Sequence, residues 1–166
     1  MGQGMSFFTS GFSRPPLIAA VLLLSALLAY KLFAPQPVND PWRLKPDDAS
    51  VVEKGAKLYQ QHCASCHGAD LAGEPNWQQR KPSGRLPAPP HDATGHTWHH
   101  DNAALFHVTK HGPQYVAGAK YESDMPAFDG VLSDQEILAA LSYIKSTWPA
   151  DVQATHDEIN KRAKAR

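Results

Sequence analysis

Residues Cys63-Ala64-Ser65-Cys66-His67 form a C-x-x-C-H motif in a chain of 166 residues. In such a motif both thiols can form thioether bonds to haem vinyl groups, and the histidine can take an axial position on the iron. Residues three apart on a helical turn share one face, so both sulfurs reach the same porphyrin edge. The motif predicts covalent haem attachment through Cys63 and Cys66, with His67 as an axial ligand.

Two other uses of a C-x-x-C pair fit this chain less well. A structural zinc site usually takes a second pair of thiolates, and the sequence has only 2 cysteines. A redox-active pair is expected in a βαβ setting, at the start of a helix that follows a strand. The sequence shows no alternating strand pattern, so haem attachment is the favoured interpretation.

The charge distribution argues against a nucleic-acid-binding protein. The net charge is zero overall, but all 16 acidic residues lie at or after Asp40. The stretch 40–160 is acidic, whereas Lys161, Arg162, Lys164 and Arg166 make the C-terminal end basic. A nucleic-acid footprint would need a basic face on the folded domain. We therefore expect no nucleic-acid partner, and we expect residues 150–166 to form a polar, basic tail with a frayed end.

Residues 1–34 are predicted to be an N-terminal tail followed by a transmembrane or signal-anchor helix. The apolar run from Leu17 to Ala34 has 18 residues, which is the lower limit for crossing a bilayer. Arg14 is the only charge before it, and the positive-inside rule then places the rest of the chain outside the cytoplasm. A cleaved signal peptide is the competing interpretation, but no small-x-small cleavage site follows the run closely. Both interpretations export the folded domain.

The domain boundaries follow from composition and helix signals. Residues 35–47 contain Pro35, Pro37, Pro41 and Pro46, which is typical of an extended, semi-stiff linker. Residues 48–149 are predicted to be the folded domain. Its first helix should begin near Ala49, capped by Asp48 or Ser50, and run into the haem motif. Gly55 on its apolar face suggests close approach by a second helix.

Two further helices complete an all-α prediction. Ser133 and Glu136 form a capping box for a helix predicted over Asp134–Trp148, which Pro149 ends. Another helix is predicted from Asp101 as N-cap to His111, with Gly112 as its left-handed terminator. We expect the proline-rich stretch 68–100 to wrap irregularly over the haem edge. So few helices cannot form a large apolar core by themselves, and a covalent haem would supply much of it.

Met125 is the leading candidate for the sixth iron ligand. It is the only methionine after Met5, and Pro126 biases it towards an extended loop conformation. A thioether favours Fe(II), so His/Met ligation raises the reduction potential relative to bis-His ligation. The alternatives are that Met125 fills a core gap, or that a histidine between His91 and His111 takes its place on the iron.

Together these motifs resemble the class I c-type cytochromes over roughly residues 48–148. The resemblance is carried by the C-x-x-C-H motif, Gly55-x-x-x-Tyr59, Met125-Pro126 and Leu141-x-Tyr143-Ile144. It implies a small helical domain around one covalent haem c, with the terminal helices crossing where Gly55 and Tyr143 lie. It also implies a proline carbonyl that orients His67, with Pro87, Pro89 and Pro90 as candidates. The family role is one-electron transfer.

A histidine-rich region offers an alternative function. Six of the 9 histidines fall within 91–111, and His96, His99 and His100 could converge on one copper or zinc ion. The chain would then be a metal-handling protein with an accessory haem.

The function expected from the sequence is electron transfer, without catalysis, in a respiratory-type chain. The haem domain would lie on the periplasmic side of a bacterial cytoplasmic membrane, tethered by its single N-terminal span. The expected partners are a quinol-oxidising complex, a terminal oxidase or another periplasmic oxidoreductase. The alternative is a haem subunit of a larger membrane oxidoreductase complex, which needs the same redox domain and anchor.

Overall fold

A computed structural model describes residues 17–33 and 40–165, and every regular element within these ranges is helical. The α-helices are α1 (Leu17–Phe33), α2 (Ala49–His62), α3 (Ala64–His67), α4 (Asn102–His111), α5 (Gln114–Ala117), α6 (Asp134–Ser146) and α7 (Ala150–Lys164). A 3₁₀ turn covers Thr97–His99. The chain divides into two units at Asn39 and Asp40. The all-α prediction is confirmed for the described residues.

α1 coincides with the apolar run predicted over residues 17–34. It has 17 residues, and large side chains from Val21 to Leu28 are exposed on it. Within residues 17–33 and 40–165, no helix combines the length and the apolar character needed to cross a membrane. The predicted transmembrane or signal-anchor role of residues 1–34 stays a prediction. Residues 1–16 and Ala34 lie outside the described ranges.

Helices α2 and α6 pack directly on each other at Gly55. A Cβ added to Gly55 would collide with the backbone carbonyl of Ala139 and come within 2.9 Å of the Tyr143 Cβ. Only glycine permits this approach, which confirms the predicted helix contact. The surrounding core contains Tyr59, Ile137, Leu141 and other apolar side chains, so the helix pair forms the centre of the domain.

The predicted helix caps are present. The Asp48 carboxylate accepts the backbone N–H groups of Ser50 and Val51 at the start of α2. Ser133 and Glu136 form the capping box of α6, and Asp101 caps α4. α6 ends at Ser146, two residues before the predicted end, but Trp148 is still buried and donates its indole N–H to the His91 carbonyl at 2.7 Å.

Part of the predicted linker belongs to the folded domain. Leu44 is buried in the core, and the backbone N–H of Lys45 donates to Ser142 Oγ at 3.0 Å. These contacts overturn the prediction of an extended spacer for residues 40–47, because one buried leucine anchors a segment that its prolines made look unstructured. The remainder, residues 35–39, lies outside the described residues.

The C-terminal segment is a helix rather than a frayed tail. α7 places His156, which is fully buried, against Trp148 with ring centroids 5.1 Å apart. His156 Nε2 donates to the His100 carbonyl at 3.0 Å, and Asn160 Oδ1 accepts the backbone N–H of Asn102 at 2.8 Å. The expectation of a frayed end is wrong, because α7 continues to Lys164 and makes buried contacts. These contacts are made by polar side chains, so no apolar stripe in the sequence indicates them.

Candidate haem site

The Cys63–His67 segment folds as the predicted helical turn. Cys63 ends α2 and begins α3, and its N–H donates to the Tyr59 carbonyl at 2.8 Å. Neither cysteine forms a disulfide; Cys63 is partly buried and Cys66 is exposed. Burial, with a smaller contribution from Cys66, raises the pKa of Cys63 to about 11. A reactive redox pair needs a lowered thiol pKa, so the environment of Cys63 disfavours that alternative.

His67 is held in one orientation by a backbone acceptor. Its ring is buried, and Nδ1 lies 2.8 Å from the Pro89 carbonyl oxygen. A carbonyl can only accept, so Nδ1 carries the proton and Nε2 presents its lone pair. Burial lowers the pKa of His67, and this favours the neutral, ligand-competent imidazole. Among Pro87, Pro89 and Pro90, the structure selects Pro89 as the proline that orients the histidine.

The position of Pro89 is itself set by hydrogen bonds from the segment after the motif. The Gly73 N–H donates to the His67 carbonyl at 2.8 Å, and the Glu74 N–H donates to the Ala88 carbonyl at 2.8 Å. A Cβ on Gly73, whose φ is +69°, would approach the Pro90 nitrogen to 2.6 Å. The two segments of the loop therefore lie in close contact, which brings the Pro89 carbonyl to His67 Nδ1.

Tyr59 fixes the other end of the motif. Its side chain is fully buried, and its hydroxyl donates to the Gly68 carbonyl at 2.8 Å, with the His67 carbonyl at 3.3 Å. Burial raises the pKa of Tyr59 well above its usual value, so the hydroxyl stays a donor. The sequence interpretation used Tyr59 as an apolar helix position and as part of the Gly55-x-x-x-Tyr59 pattern. Its place four residues before Cys63 was the available signal, but the partner carbonyls are visible only in the fold.

His91 is a second histidine at the site that the motif did not reveal. Its ring stacks on that of His67 with centroids 4.0 Å apart and planes 22° apart. His91 Nδ1 lies 2.8 Å from Thr97 Oγ1, and its carbonyl accepts the Trp148 indole N–H. Burial, followed by the nearby His67 and His96, lowers the pKa of His91 well below its usual value. His91 thus supports the face of the His67 ring as a neutral group.

Met125 lies in a loop that packs against the same core as the motif. It is partly buried, as are Cys63 and Trp98, which also contact this core. Its N–H donates to Ser123 Oγ at 3.1 Å. Further along the loop, the N–H of Phe128 bonds the carbonyls of Thr109 and Lys110 at the end of α4. Iron ligation by Met125 stays a prediction.

The histidine-rich region does not form a metal centre. Among the side chains of residues 17–33 and 40–165, no three of His, Cys, Asp or Glu are grouped to hold a metal ion. His96 stacks on Trp77 at 5.2 Å and His99 stacks on Trp98 at 3.6 Å, so the rings face aromatic neighbours instead of one ion. The described residues therefore give no support to a copper or zinc site built from His96, His99 and His100.

Comparison with known proteins agrees with this geometry. The family model for cytochrome c matches residues 52–148, which is more than half of the chain. No solved structure matches the chain. The chain belongs to the cytochrome c family.

This family implies covalently bound haem c and supports haem-based electron transfer. The residues present fit that group: the two thiols lie three positions apart on one helical turn, and the buried His67 keeps one ring nitrogen for a metal. Cys63, Cys66 and His67 would hold haem c.

Proposed function

We propose that this protein is a class I c-type electron carrier with one covalently bound haem. Cys63 and Cys66 form the thioethers, and His67 and Met125 are the axial ligands. The hydrogen bond from His67 Nδ1 to the Pro89 carbonyl carries the proposal, because it selects the tautomer and ring orientation that an iron ligand needs.

The protein groups define how the site is used. When bound, haem c supplies an Fe(III)/Fe(II) couple. His67 is fixed by Pro89 and supported by His91, so its ring does not turn away from the haem. Met125 offers a soft thioether that favours the reduced state. Two strong protein ligands leave no open position for a substrate, which is why we propose a carrier and not an enzyme.

Spectroscopy of the Met125→Ala variant tests the ligand set. The wild-type ferric protein should show the iron–methionine charge-transfer band and no high-spin features. Met125→Ala should lose that band while keeping the covalent haem. Val131→Ala, which changes an exposed residue of the neighbouring segment, is the control and should keep the band. A wild-type spectrum without the band would contradict His/Met ligation.

The apolar segment Leu17–Ala34 attaches the carrier to the periplasmic side of a bacterial cytoplasmic membrane. Support comes from its lack of charge before Lys31 and from the exposed leucines of α1, which need an apolar partner. Carbonate extraction of membranes tests the attachment. The full chain should stay in the pellet, whereas a chain lacking residues 1–39 should be released. Release of the full chain would refute the tether.

The redox partners are membrane oxidases, quinol-oxidising complexes or other periplasmic oxidoreductases. A short tether would raise the local concentration of the haem domain near such complexes. Purification from gently solubilised membranes distinguishes a free carrier from a complex subunit. Recovery in fixed stoichiometry with one oxidoreductase would favour a dedicated haem subunit instead.

A further inference from the structure

Two basic side chains of the loop after the motif reach the segment that carries Met125. Arg85 Nη1 lies 2.5 Å from Asp124 Oδ1, and Arg85 Nε lies 3.8 Å from Glu122. Lys81 Nζ lies 3.8 Å from the second carboxylate oxygen of Asp124. The residue immediately before Met125 is therefore bound by two cations from a segment about 40 positions away.

The same loop is bonded to the segment that orients His67. Lys81 Nζ donates to both carboxylate oxygens of Glu74, at 3.0 and 3.2 Å. Glu74 Oε2 also accepts the Ala88 N–H at 2.6 Å, and Ala88 precedes Pro89, the acceptor of the His67 ring. Lys81 thus joins the carboxylate beside Pro89 to the carboxylate beside Met125.

Few other polar contacts hold the segment that carries Met125. The Met125 segment contains no helix between Gly118 and Ser133, only turns at residues 119–120 and 129–131, and Pro126 donates no backbone hydrogen bond. The backbone N–H groups of Phe128 and Asp129 donate to carbonyls at the end of α4. Before that point, the path of the chain is fixed by a turn bond from the Tyr121 N–H to the Gly118 carbonyl, by the side chains of Glu122 and Asp124 and by the Ser123 hydroxyl.

We infer that Glu74, Lys81 and Arg85 are positioning residues that hold the Met125 loop closed over the haem site. The inference rests on the proposed His67/Met125 ligation and adds what keeps that ligation intact. The Arg85–Asp124 pair is about half exposed, so its effect is modest and is screened by salt. The network acts on the occupancy of the sixth position, not on haem attachment.

Imidazole is a direct probe of this occupancy. It binds the ferric iron only when Met125 has left, so its apparent affinity rises with the fraction of open loop. On the haem-loaded full chain, Arg85→Gln and Asp124→Asn should each raise the imidazole affinity about two- to fivefold. The double variant should rise by less than the product of the two effects, because both single changes break the same pair.

Salt and a matched control separate this network from a general loss of stability. Raising the ionic strength should increase the imidazole affinity of the wild type towards that of Asp124→Asn, and should leave the variant almost unchanged. Glu53→Gln breaks the exposed Lys57–Glu53 pair of α2, whose atoms lie 2.8 Å apart, and should not alter imidazole binding.

The outcomes for the inference and for the proposed ligation are distinct. If the wild type shows the iron–methionine band, Met125→Ala loses it, and both network variants bind imidazole like the wild type, the inference is overturned and the ligation stands. Fully multiplicative effects of Arg85→Gln and Asp124→Asn would also overturn the paired action. If the wild type lacks the band, the ligation and the inference built on it both fail.

Discussion

The two helices at the end of the chain bury surfaces of opposite chemistry. α6 buries Ile137, Leu141 and Ile144 against α2, whereas α7 buries His156 and Asn160 against the segment around His100. An apolar stripe in the sequence indicates a helix because the buried residues are also the hydrophobic ones. A polar contact surface gives no such signal, since each buried group depends on a partner elsewhere. Packing through polar groups should also respond differently to pH.

The largest effect is expected where α2 and α6 meet. Gly55→Ala should destabilise the haem-loaded protein by at least about 3 kcal/mol, because the new methyl group would collide with the Ala139 backbone carbonyl. Urea unfolding followed by helical circular dichroism measures this loss. Lys57→Ala on the exposed face of α2 is the control and should cost less than about 0.5 kcal/mol. Equal unfolding midpoints for the two variants would show that this contact is not tight.

The polar surface of α7 should make stability depend on pH. Burial, followed by the nearby Lys145 ammonium, lowers the pKa of His156 from 6.5 to about 4 in the folded protein. The unfolded chain therefore binds a proton that the folded chain refuses as pH falls from 6.5 to 4. His156 alone should lower the unfolding free energy by about 3 kcal/mol across this window, and above pH 6.5 it should add no pH dependence.

The variant His156→Gln isolates this term, since the other titrating groups are common to both proteins. It should be less stable than the wild type at pH 7, and the difference should shrink as the pH is lowered to 4. Unfolding free energies measured at several pH values check the prediction. A difference that stays constant with pH would exclude a buried neutral His156.

Asn160→Ala removes the second polar contact of α7. Asn160 Oδ1 is the acceptor for the buried Asn102 N–H at the start of α4, so truncation leaves that donor without its partner. We expect a loss of about 2 kcal/mol in urea unfolding. Glu158→Ala breaks only the exposed ion pair with Lys161 and should change stability by less than about 0.5 kcal/mol. Similar losses in both variants would show that the hydrogen bond between Asn160 and Asn102 is not what stabilises the packing of α7.

The smallest effect is expected at the start of α6. Ser133→Ala removes the hydroxyl that accepts the Glu136 N–H in the capping box. The expected cost is about 1 kcal/mol, measured by urea unfolding, because one helix-terminal donor loses its side-chain partner. Ser146→Ala at the other end of the helix, where the hydroxyl only donates to the Tyr143 carbonyl, is the comparison and should cost less. A reversed order would contradict the capping role.

Most of the helical frame was accessible from local signals. Asp48, Asp101 and Ser133 cap their helices as predicted, and Gly55 marks the close contact between α2 and α6. The turn of Cys63–His67 was also expected from its spacing. In each case the deciding partners lie within a few residues or the residue has a single plausible structural use.

The groups that orient and support His67 were harder to predict from the sequence. Three prolines were equal candidates for the acceptor of His67, and the fold selects Pro89 because Glu74 and Gly73 bind the segment beside it. The stacking of His91 on His67 joins residues with no shared motif. Such contacts depend on loop paths, which short-range propensities do not specify.

The spacing of Cys63, Cys66 and His67 alone predicts the chemistry of the chain, because thioether attachment and axial ligation require those atoms on one helical turn. The all-α class could likewise be inferred from helix caps and apolar periodicity, whereas the cytochrome c fold was implied by the resemblance of the motifs to that family. The packing of α7, the entry of Leu44 into the core and the Glu74–Lys81–Asp124–Arg85 network required the folded chain. Each depends on buried or charged groups meeting partners far away in sequence, and that meeting is set by three-dimensional packing.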